Sequence, residues 1–358
     1  MYKMGALFLK DDEIRKQEEN TMRRFHALLL LLCLFPAIVV TASAQQEIPL
    51  QVSLGDVSLN KLIFVIALEQ GIYQKNGLKV EQYITPRAAG VVRRSGVKVP
   101  EQYIREVDDS VPITIGGGTP TIVGMTSDAR SVDRVILAST DNMVRWHIVA
   151  RPEITKPEQL KGKRLGFSGV GAMTHFMARV FAQQLGWDPD QDISLMANAL
   201  ALDTLKSGRV DAFVADEIAH TMAVAAGYKS ILDLGQYNIP IAGSGVNASR
   251  SWLQNNREAA RRFIKSTVEA IALMKNDKNV AFAAMAKWYN ITDREQQEFF
   301  YAQAAHLPRK PYPAVEGIQK TMEVYNYHEM RRHKAEDFYD DSFVRELDQS
   351  GYIDSLYK

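Results

Sequence analysis

The stretch GFSGVGAMTH, residues 166–175, has the composition of a turn that holds a small polar ligand. Gly166, Gly169 and Gly171 allow a tight turn, after which a helix start can point its free N–H groups at a ligand. The partial positive charge of a helix start favours an anion or a carbonyl oxygen. Ser168 is the first candidate contact, with Gly169 and Gly171 as backbone donors.

Other uses of this turn find little support in the sequence. The spacing fits neither the dinucleotide fingerprint nor the phosphate loop. The nucleophile motif G-x-S-x-G is not matched, so no catalytic serine is predicted. A plain strand-to-helix turn without a ligand stays open as an alternative. In the binding interpretation, Thr174 and His175 lie slightly deeper than Ser168.

A second turn of this kind is IGGGTPT, residues 115–121, which ends a strand and opens a helix. Thr119 before Pro120 resembles an N-cap with proline at the first helical position. Gly118 and Thr119 are therefore candidate contacts, although the turn also fits a helix cap without a ligand. Two donor-rich turns from opposite halves of the chain would suit a small polar solute between them.

Two more candidates follow from single residues. Asp216 ends a predicted strand in VDAFVADE. Its carboxylate could bind an amine-bearing ligand, and a solvated surface acid is the alternative. Trp146 lies between Arg145 and His147, where an aromatic wall and a cation would face a cleft. Packing of the Trp146 ring in a core is the alternative.

Charge and motif spacing argue against macromolecular and metal ligands. The chain has 43 basic and 42 acidic residues, so no bulk charge attracts nucleic acid or an anionic membrane. In YHEMRRH, His328 and His333 are five positions apart, whereas H-E-x-x-H needs four. We predict no cofactor, no metal and no nucleic-acid partner.

The N-terminal segment has the three parts of a secretory signal peptide. Basic residues at 23–24 precede an apolar run at 27–40 and the sequence Ala-Ser-Ala at 42–44. We predict translation from Met22, cleavage after Ala44 and a periplasmic protein; a membrane anchor at 27–40 is the alternative. Leu32 precedes the only cysteine, Cys33, so no lipoprotein is expected, and the mature chain lacks disulfides.

The rest of the chain alternates strand and helix signals, which favours an α/β fold with parallel sheets. Strands are predicted in LQVSLGD and LKVEQYI, and a second α/β unit begins at KRLGFSG. Long amphipathic helices follow, one of them opened by a predicted capping box of Thr292 and Glu295. The charged segment 86–112 is predicted to be an inserted surface hairpin or lid.

Five segments come in an order and spacing that resemble the periplasmic solute-binding proteins of the sulfonate, nitrate and thiamine-precursor type. They are IALEQGIYQKNGLKVE, RPEITKPEQLKGKRLGF, DTLKSGRVDAFVADE, SRSWLQNNREAARRFIKSTVEAI and DDSFVRELDQSG. The resemblance implies a two-lobe binding-protein fold of type II, with two crossover strands as the hinge. It implies lobe 1 at residues 51–146 and 245–358 and lobe 2 at 147–244, after the segment 1–44.

The same resemblance implies a monomeric, non-enzymatic protein that hands a small solute to an ABC importer permease and ATPase. It adds Ser58 and Asn60 as candidate contacts, although Asn60 fits a helix cap equally well. Related chains carry an aromatic residue and Glu-Pro where this one has Asp216-Glu217-Ile218. This departure argues against a simple sulfonate or nitrate. Two alternatives stay open: a ligand-sensing module of the same fold, or a pyrimidine-synthesising enzyme relative.

Overall fold

A computed structural model describes residues 47–55, 59–93, 98–106, 110–127 and 133–358. The predicted signal peptide at 1–44, with Cys33, and the candidate Ser58 lie outside the described residues. Gln46–Lys358 form one compact unit.

Five strands form the first sheet, in the order β2-β1-β3-β10-β4. Their bounds are β1 Ile48–Leu54, β2 Leu78–Ile84, β3 Ile113–Gly117, β4 Arg134–Asp141 and β10 Ser244–Ser249. β1 is parallel to β2 and β3, whereas β10 runs antiparallel between β3 and β4. The predicted strand LKVEQYI coincides with β2, in which side chains alternate between buried and exposed over its first half.

The second sheet has the order β7-β6-β8-β5-β9. Its strands are β5 His147–Ala150, β6 Arg164–Gly166, β7 Ser194–Met196, β8 Ala212–Ala215 and β9 Lys229–Asp233. β6 is parallel to β7 and β8, and β5 is antiparallel to β8 and β9. β8 reads as an apolar run because both faces are covered: Ala212 and Val214 join one core cluster, Phe213 and Ala215 another.

Fourteen helices accompany these strands in the described part of the chain. They are α1 Leu62–Glu69, α2 Ile72–Lys75, α3 Pro86–Arg93, α4 Gly118–Thr126, α5 Met173–Gln184, α6 Leu202–Lys206, α7 Glu217–Ala225, α8 Arg250–Asn255, α9 Arg257–Asn276, α10 Lys278–Tyr289, α11 Arg294–Ala304, α12 Val315–Tyr325, α13 Ser342–Gln349 and α14 Tyr352–Ser355. One core cluster joins the first sheet to α1, α9 and α10. A second joins the second sheet to α4, α5 and α12.

The chain crosses twice between the sheets. The first crossing, residues 142–146, runs from β4 to β5, and the second, residues 234–243, runs from β9 to β10. The short helix α12 packs on both α4 and α5, so the C-terminal region contacts both sheets' helices.

Two local predictions differ from the structure. α11 is capped by Asp293, whose side chain accepts from the Gln296 N–H at 2.9 Å, so the capping box of Thr292 and Glu295 is wrong. The segment 86–112 is not a plain hairpin, since α3 occupies 86–93 and a 3-10 turn lies at 101–103. Across the described ranges, no helix combines the length and apolar character needed to cross a bilayer.

Candidate functional site

The topology brings the loops that carry most of the predicted contacts to one edge of each sheet. In the first sheet, β1, β2, β3 and β4 are parallel and end at the same edge. In the second sheet, β6, β7, β8 and β9 end at one edge, where antiparallel β5 begins. Ligands of open α/β sheets bind outside the carboxyl ends of such strands.

The glycine turn after β6 is held by its own hydroxyl groups. Ser168 Oγ lies 2.7 Å from Thr174 Oγ1, and the Ser168 N–H donates to the same Thr174 oxygen at 3.0 Å. When the Thr174 hydroxyl donates to Ser168, the Ser168 proton remains available to a further acceptor. Ser168, Gly169, Gly171 and Thr174 thus lie together in one turn.

A histidine fixes the far end of this turn. The Gly171 N–H donates to His175 Nδ1 at 3.1 Å, and the Tyr325 hydroxyl lies 3.2 Å from the same nitrogen. Burial, with a smaller contribution from Arg179, lowers the pKa of His175 to about 4. The ring is therefore neutral at physiological pH, as an acceptor Nδ1 requires.

Unused donors of the turn lie near a cation from the first sheet. The N–H groups of Gly169 and Val170 have no acceptor among the described residues. A Cβ placed on Gly169 would lie 3.1 Å from Nη2 of Arg87. Arg87 belongs to α3, which follows β2, and its guanidinium has no hydrogen-bond or ion-pair partner in the described part of the chain. Donors from both halves of the chain therefore meet here.

Gly171 forms a second close approach between the halves. Its φ of +79° lies in the left-handed region, which favours glycine. A Cβ at this position would lie 2.8 Å from Cγ1 of Val123 in α4. The glycine turn after β6 thus packs directly on α4, the helix that follows β3 of the first sheet.

The turn at 115–121 has a different use from the predicted one. The Gly118 N–H donates to Gly243 O at 2.7 Å, and the Thr119 N–H donates to Ala242 O at 3.0 Å. The Thr119 hydroxyl is buried 2.8 Å from Thr321 Oγ1. The N-cap of α4 is Gly117, so the predicted capping role of Thr119 is wrong. These donors hold the second crossing against β3.

Asn60 belongs to a chain of polar contacts that reaches the first crossing. Its Oδ1 accepts from Lys61 Nζ at 2.8 Å, and its Nδ2 donates to Asp141 Oδ2 at 3.0 Å. Arg145 Nη1 donates to the same Asp141 oxygen at 2.5 Å. Arg145 Nε lies 3.9 Å from Glu217 Oε1. The chain therefore links the first helix region of the first sheet to α7 of the second.

The two acids at the end of β8 have different environments. Asp216 is the N-cap of α7 and accepts from the Ala219 N–H at 2.8 Å, so its carboxylate stabilises the helix start. Glu217 is half-buried. Burial is the main cause that raises the pKa of Glu217 to about 7; Asp216 and Asp141 act in the same direction, whereas its own N–H and Arg145 oppose them.

Aromatic rings lie beside these acids. His147 at the start of β5 stacks on His220 of α7 with ring centroids 3.9 Å apart. Burial lowers the pKa of both imidazoles, and their mutual repulsion adds to this for His220. Trp146 is half-buried against the second core cluster, which agrees with the packing alternative for its ring.

Several residues of this edge were missed from the sequence. Arg87, Asp141, Glu217 and His220 were not named as candidates. Asp216-Glu217 did carry a usable signal, because the first acid after a strand is well placed to cap a helix and leaves the second free. Arg87 and Asp141 have no local motif.

Comparisons with known proteins agree with this architecture. Residues 121–281 match the family model described as NMT1/THI5 like. No curated protein sequence is significantly similar to the chain.

Solved structures confirm the resemblance at the level of the fold. The periplasmic aliphatic sulphonate binding protein SsuA from Escherichia coli is 17% identical with a TM-score of 0.58, over 84% of this chain and 97% of that one. The periplasmic nitrate-binding protein NrtA from Synechocystis PCC 6803 is 14% identical with a TM-score of 0.64, over 87% and 91%. The desulfurization enzyme DSZB is 15% identical with a TM-score of 0.54, over 85% and 100%. The chain has the two-lobe periplasmic binding protein fold, which both binding proteins and an enzyme share.

Proposed function

We propose that this protein is an exported binding protein that captures a small polar organic solute between two lobes for delivery to an ABC importer. The observation that carries the proposal is the meeting of unused donors at the glycine turn. The N–H groups of Gly169 and Val170 have no acceptor in the described part of the chain, and Gly169 lies beside Arg87 from the other sheet. An anionic or carbonyl group of a solute would satisfy donors from both lobes at once.

In this proposal the lobes are residues 51–146 with 245–358, and 147–244. The two crossings at 142–146 and 234–243 form the hinge. Support for this comes from α12, where a Cβ on Gly317 would lie 2.0 Å from the carbonyl carbon of Ile241 in the second crossing. The partners are a permease and an ATPase, and the binding protein acts as a monomer.

A binding role fits the turn better than catalysis by Ser168. A serine nucleophile needs a base within hydrogen-bond reach. The Ser168 hydroxyl instead contacts Thr174, and Nδ1 of the nearby His175 accepts from Gly171. Two of the three similar structures described above are binding proteins.

Export follows from the segment 1–44. Mass spectrometry of the protein recovered from the periplasm is expected to give Gln45 as the first residue. An intact Met1, or a lipid on Cys33, would contradict this part of the proposal.

A thermal-shift screen of residues 45–358 tests the binding function. The panel should contain sulfonates, aromatic acids, pyrimidines and amines, each at high concentration. A ligand at 100 times its dissociation constant stabilises the native state by about 2.7 kcal/mol. Small-angle scattering with the identified solute is then expected to show a smaller radius of gyration. A failure of every class in the panel, or tight binding without compaction, would argue against capture between closing lobes.

A further inference from the structure

Glu217 faces a cation whose two terminal nitrogens are already committed to other acceptors. Arg145 Nη1 donates to Asp141 at 2.5 Å, and Nη2 lies 3.5 Å from the Gln303 carbonyl oxygen. Only Nε points towards Glu217, at 3.9 Å from Oε1, and this buried atom has no hydrogen-bond partner in the described ranges. Because Asp141 neutralises Arg145, the guanidinium is a weak counter-ion for Glu217.

The other charged groups around Glu217 do not supply a better counter-ion. The elements that pack on α7 are β5, β8, β9 and α6. With the first crossing and the end of β4, they bring the following titratable or charged residues to this region: Asp141, Arg145, His147, Asp203, Lys206, Asp216, His220, Lys229 and Asp233. Lys206 and Lys229 are exposed, and the two imidazoles are neutral near pH 7 because their pKa values are lowered. Acids therefore outnumber cations around Glu217.

Glu217 lies where the two lobes meet, so the excess of acids around it depends on how close the lobes are. Glu217 begins α7 at the edge of the second sheet, whereas Asp141 ends β4 of the first. The lobes are close to each other in this structure, as the approaches of Gly169 to Arg87 and of Gly171 to Val123 demonstrate. Separating the lobes would move Asp141 and its partner Arg145 away together and admit water to Glu217. Because the two charges of the pair offset each other, the entry of water decides the direction, and it favours the ionised carboxylate.

We propose that closure of the lobes is coupled to protonation of Glu217. The closed arrangement takes up one proton, and the open arrangement releases it. This inference rests on the lobe closure of the proposed function, and it makes solute capture depend on pH through a residue of the protein. The pKa of about 7 for Glu217 in the close arrangement places the transition near neutrality.

Distances between spin labels test the coupling without any solute. Labels are attached at Lys79→Cys, in the first sheet, and at Gln184→Cys, in α5, both exposed positions. The full chain carries Cys33→Ser, so the introduced thiols are unique. The ratio of the short-distance to the long-distance population is expected to rise by up to about tenfold from pH 8 to pH 6.

Three variants test which residue causes the pH response. E217Q imitates the protonated acid and is expected to keep the short distance at both pH values. E153Q, at an exposed acid paired with Arg151, is expected to follow the parent. H220Q is expected to retain the response, because the imidazoles protonate at lower pH.

The proposal is overturned if the parent shows no pH response, if E217Q responds like the parent, or if H220Q alone abolishes the response. Should circular dichroism find E217Q unfolded, E217D replaces it and must retain a titration, since it keeps a carboxylate. These outcomes are independent of solute binding, so a failed ligand screen leaves the test intact. A failed coupling likewise leaves the binding proposal in place.

Discussion

Arg145 and Asp141 form a buried ion pair across one turn of chain, with Nη1 2.5 Å from Oδ2 and both side chains nearly excluded from solvent. The pair closes the start of the first crossing onto the end of β4. Its Asp141 oxygen also accepts from Asn60, so one carboxylate holds the crossing and the helix region after β1.

Removing one partner of this pair should be strongly destabilising. Asp141→Asn leaves a buried guanidinium without its counter-ion, and we expect a loss of roughly 3 kcal/mol in the free energy of unfolding. Asp190→Asn is the matched control, because Asp190 is 64% exposed in its pair with Arg179. The control is expected to lose less than about 1 kcal/mol. Urea denaturation of both variants measures the difference, and equal losses would contradict the structural role of Asp141.

The raised pKa of Glu217 predicts how stability depends on pH. The folded chain binds a proton at Glu217 up to about pH 7, whereas an unfolded glutamate releases it near its ordinary value of 4.5. The folded state thus holds more protons in this window, so stability falls as pH rises from 4.5 to 7. E217Q is expected to be more stable than the parent at pH 8 by up to about 3 kcal/mol, and equal to it near pH 4. Denaturation at several pH values checks the sign, and a destabilised E217Q at pH 8 would contradict it.

Much of the fold could be predicted because its signals are local. β2 was predicted at its observed bounds from the alternation of apolar and polar residues. The glycine turn was also predicted, since glycine spacing and the following helix pattern lie in one stretch of chain. The predicted capping role of Thr119 was wrong because its hydroxyl faces Thr321, about 200 positions away. No nearby residue signals such a contact.

The site residues that were not predicted from the sequence were missed for the same reason. Arg87 gains its position only because α3 of one sheet lies opposite the glycine turn of the other. Asp216 caps the helix, whereas its neighbour Glu217 does not and lies near Arg145 of the other lobe. Contacts between distant segments decide which polar residue meets a ligand and which one stabilises a helix start.

His175 is expected to position the glycine turn through Nδ1, which accepts from the Gly171 N–H. His175→Phe keeps a ring beside Phe167, with which His175 stacks at 4.5 Å, but leaves the buried Gly171 N–H without an acceptor. We expect a loss of about 1–3 kcal/mol in stability. His175→Asn retains an acceptor near Nδ1 and should keep more of the affinity for the solute found in the screen. Calorimetric titration compares the two, and equal affinities would mean that the hydrogen bond to Gly171 does not position the turn.

Alanine variants of Gly171 and Gly162 distinguish the effect of backbone strain from the effect of contact between the lobes. Both have positive φ, +79° and +72°, but only Gly171 faces a neighbour, Val123, within 4 Å. Gly162→Ala is expected to lose about 1 kcal/mol from strain alone. Gly171→Ala should lose about 1–3 kcal/mol more, because its Cβ meets the valine.

A double variant completes this test. Val123→Ala should restore part of the stability lost in Gly171→Ala, since it removes the atom that the new Cβ meets. Chemical denaturation of the four chains gives the coupling energy. Additive losses would mean that the turn does not pack on α4 in solution.

Ser168 gives the most direct test of the binding site. Its hydroxyl contacts Thr174 at 2.7 Å, so Ser168→Ala removes one donor while the Ser168 N–H can still donate to Thr174. Binding is expected to weaken by about 0.5–1.5 kcal/mol for a neutral solute group and about 1.5–3 kcal/mol for an anionic one. Ser207→Ala is the control, because that exposed hydroxyl donates only to carbonyl groups of its own helix. Calorimetric titration decides whether the turn binds the solute or is only structural. If Ser168→Ala is folded by circular dichroism and binds like the parent, the solute lies elsewhere in the cleft.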